Sequence, residues 1–177
     1  EGWFIEYEGC DPGYHTLTLS LLARIEQLSP RAGIREALTR AVGVAAEFIH
    51  PDGSFGGEYG SRNTLSFFPH GFEIVGRWMP DALAINDLFL QALQRGLIPR
   101  YTDDRIIGHH LWNYLLAARD FIAERPGPLP RAAGRRHFAD AGLLIDRRAG
   151  FELYLALNKG GTFKLFHHGR LLASDTQ

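Results

Sequence analysis

Apolar residues in the first two-thirds of the chain recur at helical spacing; in the last third they do not. Leu17, Leu21, Leu22, Ile25 and Leu28 lie three or four apart, the spacing that puts side chains on one face of a helix. Asp11-Pro12 precedes them, a capping carboxylate followed by a proline whose missing N–H costs nothing in a first turn. Ser29-Pro30 restarts a second helix, whose stripe of Ile34, Ala37, Leu38, Ala41, Val42, Ala45, Phe48 and Ile49 is the cleanest in the chain. Pro69 opens a short helix through Trp78, and another runs from Asp81 to Leu93 before Gly96 and Pro99 stop it. Asp103 or Asp104 caps a fifth, with Ile107, Leu111, Tyr114, Leu115, Ala118, Phe121 and Ile122 as its core-facing stripe.

The period then changes. Pro126-Gly127-Pro128-Leu129-Pro130 is a stiff, non-helical connector. Beyond it, Ala141–Asp146, Phe151–Leu157 and Thr162–Phe166 are short apolar runs, separated by turns at Ala149-Gly150, Gly160-Gly161 and His168-Gly169. Such runs read as an antiparallel meander. The expected class is α+β: α-hairpins packed side by side over residues 1–125, a linker at 126–136, and a β-meander over 137–177. A strand pattern is still running at Ala173–Asp175 and the first residue is Glu1, so the chain reads as a piece of a longer protein.

Between the second and third helices lie about twenty residues that cannot be helical, PDGSFGGEYGSRNTLSFFP, with four glycines in the first ten positions. Loops of that length inside a compact domain are functional or disordered. Phe55, Tyr59, Phe67 and Phe68 argue against disorder, because such rings bury enough surface to hold a loop in place.

Composition narrows the classes. A net charge of −1 gives no basic footprint for nucleic acid. No stretch approaches eighteen uninterrupted apolar residues, so no membrane span is expected. The single cysteine, Cys10, excludes an internal disulfide. The glycine-rich turn is not a phosphate loop, since no Gly-Lys-Ser/Thr follows it. His109 and His110 cannot both ligate one ion, because adjacent helical residues point about 100° apart; packing between helices is the better account, with Asn113 one turn beyond His109. His167-His168 falls at a hairpin end with side chains on opposite faces. No metal site and no cofactor are expected.

Chemistry concentrates after the glycines. Tyr59, Arg62, Asn63, His70 and Glu73 place a phenol, a guanidinium, an amide, an imidazole and a carboxylate within fifteen positions. The set suits proton abstraction beside a carboxylate: one group takes the proton while donors offset charge on the carboxylate oxygens. Arg62 could hold a sugar carboxylate in a bidentate pair. The competing account is an Arg62–Glu73 ion pair that only pins the loop. A second polar and aromatic group, Glu6, Tyr7, Glu8, Asp11, Tyr14 and His15, lies at the start of the chain, with Trp3 beside it.

The run Glu6-Tyr7-Glu8-Gly9-Cys10-Asp11-Pro12-Gly13-Tyr14, the Asp52–Gly57 turn, and Tyr59-Gly60-Ser61-Arg62-Asn63 leading to Pro69-His70-Gly71-Phe72-Glu73 are similar to the later hairpins of an (α/α) toroid. The Phe138–Asp175 meander, with Asn158-Lys159-Gly160-Gly161 in a turn, resembles the opening strands of the β-sandwich that follows such a toroid. The pairing resembles heparinase II/III-like proteins and related uronate-specific polysaccharide lyases. That resemblance implies eliminative cleavage of an acidic polysaccharide or oligosaccharide, with Asn63 and Arg62 on the uronate carboxylate. Tyr59 or Tyr14, with His70, would then exchange the proton. Tyr14, His15, Glu73 and Trp3 are the expected substrate-binding residues. The family's His-x-His-x-Asp motif is absent. A glycoside hydrolase on the same toroid would instead draw its carboxylates from Glu8, Asp11, Glu58 and Glu73, and a non-catalytic carbohydrate-binding protein would stack sugars on Trp3, Phe55, Tyr59 and Trp78.

Overall fold

The computed structural model describes residues 1–7, 9–56, 59–62, 64–98 and 104–175, with side chains in the fifth helix from residue 108 onward. Among these residues the chain is helical first and sheet second. Strands β1 (Ile5–Glu6) and β2 (Gly9–Cys10) form a small antiparallel hairpin. Helices α1 (Pro12–Leu28), α2 (Ala32–Phe48), α3 (His70–Val75), α4 (Pro80–Gln94) and α5 (Asp104–Arg119) follow. The chain closes with β3 (Gly134–Phe138), β4 (Leu143–Arg148), β5 (Phe151–Ala156), β6 (Phe163–His167) and β7 (Arg170–Asp175). Each of these five strands pairs antiparallel with the next, so the sheet order is the chain order. The expected meander is present, and β3 adds a strand that begins at Gly134. Non-glycine residues with positive φ, Ala149 and His168, sit in the expected turns immediately before Gly150 and Gly169.

The helices differ from expectation in which face they bury. On α2 the long stripe faces inward, with Leu38, Ala41, Val42, Ala45 and Phe48 buried. On α1 the stripe is reversed: Leu21, Ile25 and Leu28 are exposed, while His15, Thr16, Leu19, Ser20 and Ala23 are buried. On α5 likewise Leu111 and Leu115 are exposed, as is Phe121 beyond its end, and His110, Asn113 and Ala117 face inward.

The reason lies in the non-helical segment between α2 and α3. Its described residues from Tyr59 to Phe68 are mostly buried, yet helix or sheet ladders do not satisfy their backbone, and a buried unpaired N–H or C=O is costly. Side chains of α1 supply the partners. Asp11 Oδ1 caps α1 by accepting the Tyr14 N–H at 2.9 Å, while its Oδ2 accepts the N–H groups of Arg62 (3.0 Å) and Thr64 (3.2 Å). Thr16 Oγ1 accepts the Phe68 N–H at 3.0 Å. Ser20 Oγ donates to the Phe68 carbonyl and accepts the Gly71 N–H, both at 2.9 Å. From α5, Asn113 Oδ1 accepts the His70 N–H at 2.9 Å. Polar side chains are drawn inward because the loop needs them, and the apolar stripes face out. Gly13 belongs to the same contact: a Cβ there would lie 2.5 Å from Thr64 Cγ2 and 2.6 Å from the Thr64 carbonyl oxygen.

One hydrophobic core runs through both halves. Phe72 and Phe89 stack on Phe67, with the Phe67 and Phe89 centroids 4.2 Å apart, and Phe55 meets Phe67 edge-on. Phe48 meets Phe138 at 5.2 Å, and Leu143, Ile145, Tyr154 and Phe166 of the sheet extend the same cluster. Asp11→Ala removes the cap and strands two loop N–H groups, so it should destabilise the fold by roughly 2–4 kcal/mol in urea unfolding. Arg40→Ala, which breaks only the exposed Arg40–Glu36 pair, should cost less than about 0.5 kcal/mol.

Candidate functional site

The first thing the Ser61–Arg62 segment does is bring the two candidate groups of the sequence together. Ser61 donates its N–H to the Cys10 carbonyl (2.9 Å) and its hydroxyl to the Glu6 carbonyl (2.8 Å). Those bonds seat Arg62 against the β1–β2 hairpin. Its guanidinium carbon lies 4.3 Å from the Tyr7 ring centroid and 5.3 Å from that of Tyr14. The side chain is 37% exposed, and its ion pair with Glu6 is long, at 3.6 Å. Tyr7 is 72% exposed and has φ of +56°, a left-handed conformation that costs energy in a residue with a side chain. Arg62 is thus an accessible cation between two aromatic rings, with a carboxylate loosely held beside it.

The other expected residues have different surroundings. Tyr59 is buried, stacks on Tyr154 at 6.1 Å, and is 2.8 Å from His50 Nε2 through its hydroxyl. His50 Nδ1 is 2.8 Å from Ser54 Oγ, and Ser54 Oγ donates to Asp52 Oδ1 at 2.6 Å. Because Ser54 donates to Asp52, His50 Nδ1–H must donate to Ser54, and Nε2 accepts from the Tyr59 O–H. The hydrogen-bond chain Tyr59–His50–Ser54–Asp52 therefore has one direction, with His50 neutral. Burial, with Lys164 and Arg131 nearby, holds the His50 pKa well below the usual imidazole value. Gly56 is required here, since a Cβ would fall 2.6 Å from both His50 Cε1 and Tyr59 Oη.

His70 is buried, with Nε2 2.7 Å from Asp120 Oδ2. Burial lowers its pKa, and the hydrogen bond it donates to Asp120 opposes that only in part. The Asp120 carboxyl is held at about 2, chiefly by its hydrogen bond from Arg119. Glu73 is buried and does pin structure, but through Arg125 (3.0 Å) rather than Arg62. It also accepts from the Ile122 N–H at 3.1 Å and from Asn86 Nδ2 at 2.6 Å, and Asp87 shares Arg125. His15 is buried, bonds the Ala41 carbonyl through Nε2 at 2.8 Å and leaves Nδ1 without a partner. It is an interhelix contact between antiparallel α1 and α2, with its pKa lowered to about 4 by burial. Trp3 donates to Glu1 at 3.2 Å and packs on the core. Asn63, Glu8 and Glu58 lie outside the described residues.

Arg62, Tyr59 and His70 therefore have three separate sets of partners and do not form one catalytic cluster. Arg62 is joined instead to Tyr14, Tyr7 and Glu6. Of the carboxylates considered for glycoside hydrolysis, Asp11 and Glu73 are buried and committed to holding the fold. Phe55 and Tyr59 are likewise buried, so neither is free to stack on a sugar. His110 is buried against Phe68, centroids 4.6 Å apart, and His109 is exposed, as packing between helices requires. Among the described residues no group of three His, Cys, Asp or Glu side chains is arranged to hold a metal ion, and no helix is long and apolar enough to cross a membrane.

Sequence reasoning missed His50 and the partners of His70 and Glu73. The only local signal for the first was Asp-Gly-Ser directly after His50-Pro51, which also reads as an ordinary turn. Asp120 and Arg125 stand about fifty residues from their partners, and no spacing rule reaches that far. No family model, curated protein or solved structure matches the chain.

Two outcomes follow from the buried imidazoles. His15, with a folded pKa of about 4 against 6.5 for the free side chain, binds its proton more tightly in the unfolded chain. Stability is then complete above pH 6.5 and lost as pH falls towards 4. At about 1.4 kcal/mol per pKa unit, His15 alone withdraws on the order of 3 kcal/mol; His50, His70 and His110 add in the same direction. Urea midpoints measured from pH 8 to pH 4 should fall steeply below 6.5, and His15→Gln should flatten the curve. Tyr59→Phe leaves His50 Nε2 buried without a donor and should cost about 1–3 kcal/mol in the same assay.

Proposed function

We propose that the protein binds a uronate-containing acidic polysaccharide across the Tyr7–Arg62–Tyr14 face and cleaves it by β-elimination. The supporting observation is the half-exposed Arg62 guanidinium between two tyrosine rings, with Glu6 at 3.6 Å. A uronate carboxylate can replace Glu6 on the guanidinium as a bidentate partner, and it gains a fork geometry that the long ion pair lacks. Tyr7 offers a ring face for the sugar.

Neutralising the carboxylate acidifies the neighbouring C5–H, because charge that develops on its oxygens as the proton leaves is offset. Tyr14, half-buried beside the Arg62 guanidinium, acts in its phenolate form: its oxygen takes the proton from C5 and, now a phenol, gives it to the glycosidic oxygen. The C5–H electrons form the C4–C5 double bond as the C4–O bond breaks, and the leaving oxygen takes the proton. Asn63, next to Arg62 in the chain, is the amide expected to assist on the carboxylate. His70, buried against Asp120, takes no part in this path.

The proposed architecture is an (α/α) toroid of hairpins followed by a β-sandwich, of which the sheet is one layer. The apolar stripes exposed on α1 and α5 support this, since helices at the two ends of an open hairpin array would present such faces to their neighbours.

The test is incubation of the full-length protein with alginate, heparan and pectin while ultraviolet absorbance of unsaturated uronate is followed. Product is expected from at least one polymer. Tyr14→Phe should lower turnover by at least about 100-fold with binding retained, whereas Arg62→Ala should weaken binding and turnover together. Binding without product from any polymer would remove the elimination step and leave a carbohydrate-binding protein; absence of both would remove the reading altogether.

A further inference from the structure

His167 and His168 take no part in the elimination path, and they do not alternate as a plain strand end would. The β4–β5 and β6–β7 hairpins close through two-residue turns, Ala149-Gly150 and His168-Gly169, with all four φ values positive, between 43° and 83°. Asparagine or glycine is the usual first residue of such a turn; His168 takes that place at φ of +46°. Its ring therefore does not pass to the opposite face. It lies 4.3 Å from the His167 ring and packs over the neighbouring turn, where a Cβ on Gly150 would fall 2.6 Å from its Cε1. The two turns lock together.

The strand register extends this corner into a row. Arg148 pairs with Phe151, Phe151 with His167, and His167 with Arg170. Directly opposed residues share a face of a sheet, so these four stand together, opposite the buried Arg147 and Phe166. Three strand spacings put the ends of the row about 14 Å apart. Phe151 and His167 stack at 4.3 Å and 20°, so their faces meet and their edges, the positive part of an aromatic ring, point outward. Arg148 and Arg170 are exposed at the two ends. Arg148 engages only Nε, with Asp146 at 2.7 Å. Among the described residues the side chains of His167, His168 and Arg170 have no hydrogen-bond or ion-pair partner. No carboxylate belongs to the row. Asp146 lies one position inward, held by Arg135 and Arg148, and Glu152 projects to the other face, onto Arg131 and Arg147.

We propose that Arg148, His167, His168 and Arg170 form a second binding row, separate from the Arg62 face, for an acidic polysaccharide laid across the ends of the two hairpins. The choice of occupant rests on the uronate reading; the geometry of the row does not. A guanidinium at each end takes a carboxylate as a bidentate partner. Between them, each neutral imidazole offers one donor and one acceptor nitrogen. The acceptor nitrogen calls for a hydroxyl, which a uronate carries beside its carboxylate and a run of acidic side chains lacks. Locked turns leave little to be ordered on binding. The row stands at the turn end of the sheet, one position beyond Leu153 and Leu165, on which a second sandwich layer would pack.

The test uses the full-length protein carrying Arg62→Ala, which isolates the row from the elimination face, with oligomers of alginate, heparan and pectin as probes. At least one should still saturate in calorimetry and shift the His167 and His168 ring signals in nuclear magnetic resonance, leaving buried His15 unmoved. Adding Arg148→Gln or Arg170→Gln should weaken that oligomer about tenfold each. Both side chains are exposed, so these variants keep their fold. Neutral dextran and polyglutamate at equal ionic strength should produce neither signal. Loss of all oligomer binding with Arg62→Ala alone, or undiminished affinity when both other arginines are replaced, would overturn the row while elimination by the wild-type protein still stands. An equal response to polyglutamate would overturn the occupant. Binding at the row without product from the wild-type protein would support the row and count only against the elimination step.

Discussion

A buried stretch of chain with no ladder of its own governs this molecule. The described residues from Tyr59 to Pro69 run, mostly buried, between α2 and α3, and their backbone groups must find partners away from water. Asp11, Thr16, Ser20 and Asn113 provide them. This one requirement sets the inward faces of α1 and α5, places Asp11 at both a helix start and a loop anchor, and holds Arg62 at the surface beside the first hairpin. It also delivers His70 to α5, where Asp120 meets its ring.

A second set of contacts joins the helices to the sheet. Arg131 donates to Glu152 (2.6 Å), to the Ile49 carbonyl (2.9 Å) and to the Tyr154 hydroxyl (2.5 Å). Arg147 links Glu152 to Glu47 near the end of α2. Burial alone would raise the Glu152 pKa, yet its hydrogen bonds from Arg131 and Arg147 keep it below the ordinary carboxylate value. Buried pairs of this kind add little net stability over apolar packing, but losing one partner strands a charge. Their value here is geometric: they fix how β5 lies over the end of α2, and with it the burial of His50 against Tyr154 and Phe166.

The order of elements was legible in the chain because period and punctuation are local. The shift from spacing of three or four to short runs between glycine turns marks the helix-to-sheet change, and Ala149-Gly150 and His168-Gly169 stand where the hairpins turn. Which face of a helix goes inside was not local. Leu21, Ile25 and Leu28 satisfy every rule for a core stripe, but Thr16 and Ser20 were needed by a loop fifty residues away. For the same reason Arg62 and Tyr14 were recognisable as candidates, whereas their meeting with Tyr7, and the pairing of His70 with Asp120, depended on long-range bonds that spacing does not encode.

The sheet has two unlike borders. At β3 the unpaired edge carries Arg135, Arg136 and His137, all exposed, and their charge opposes the approach of another strand. At β7 every residue is exposed and Leu171-Leu172 lies in the middle. Lateral growth of the sheet, whether by orderly addition or by aggregation in crowded solution, therefore has a polarity: it starts from β7, and the opposite rim resists it.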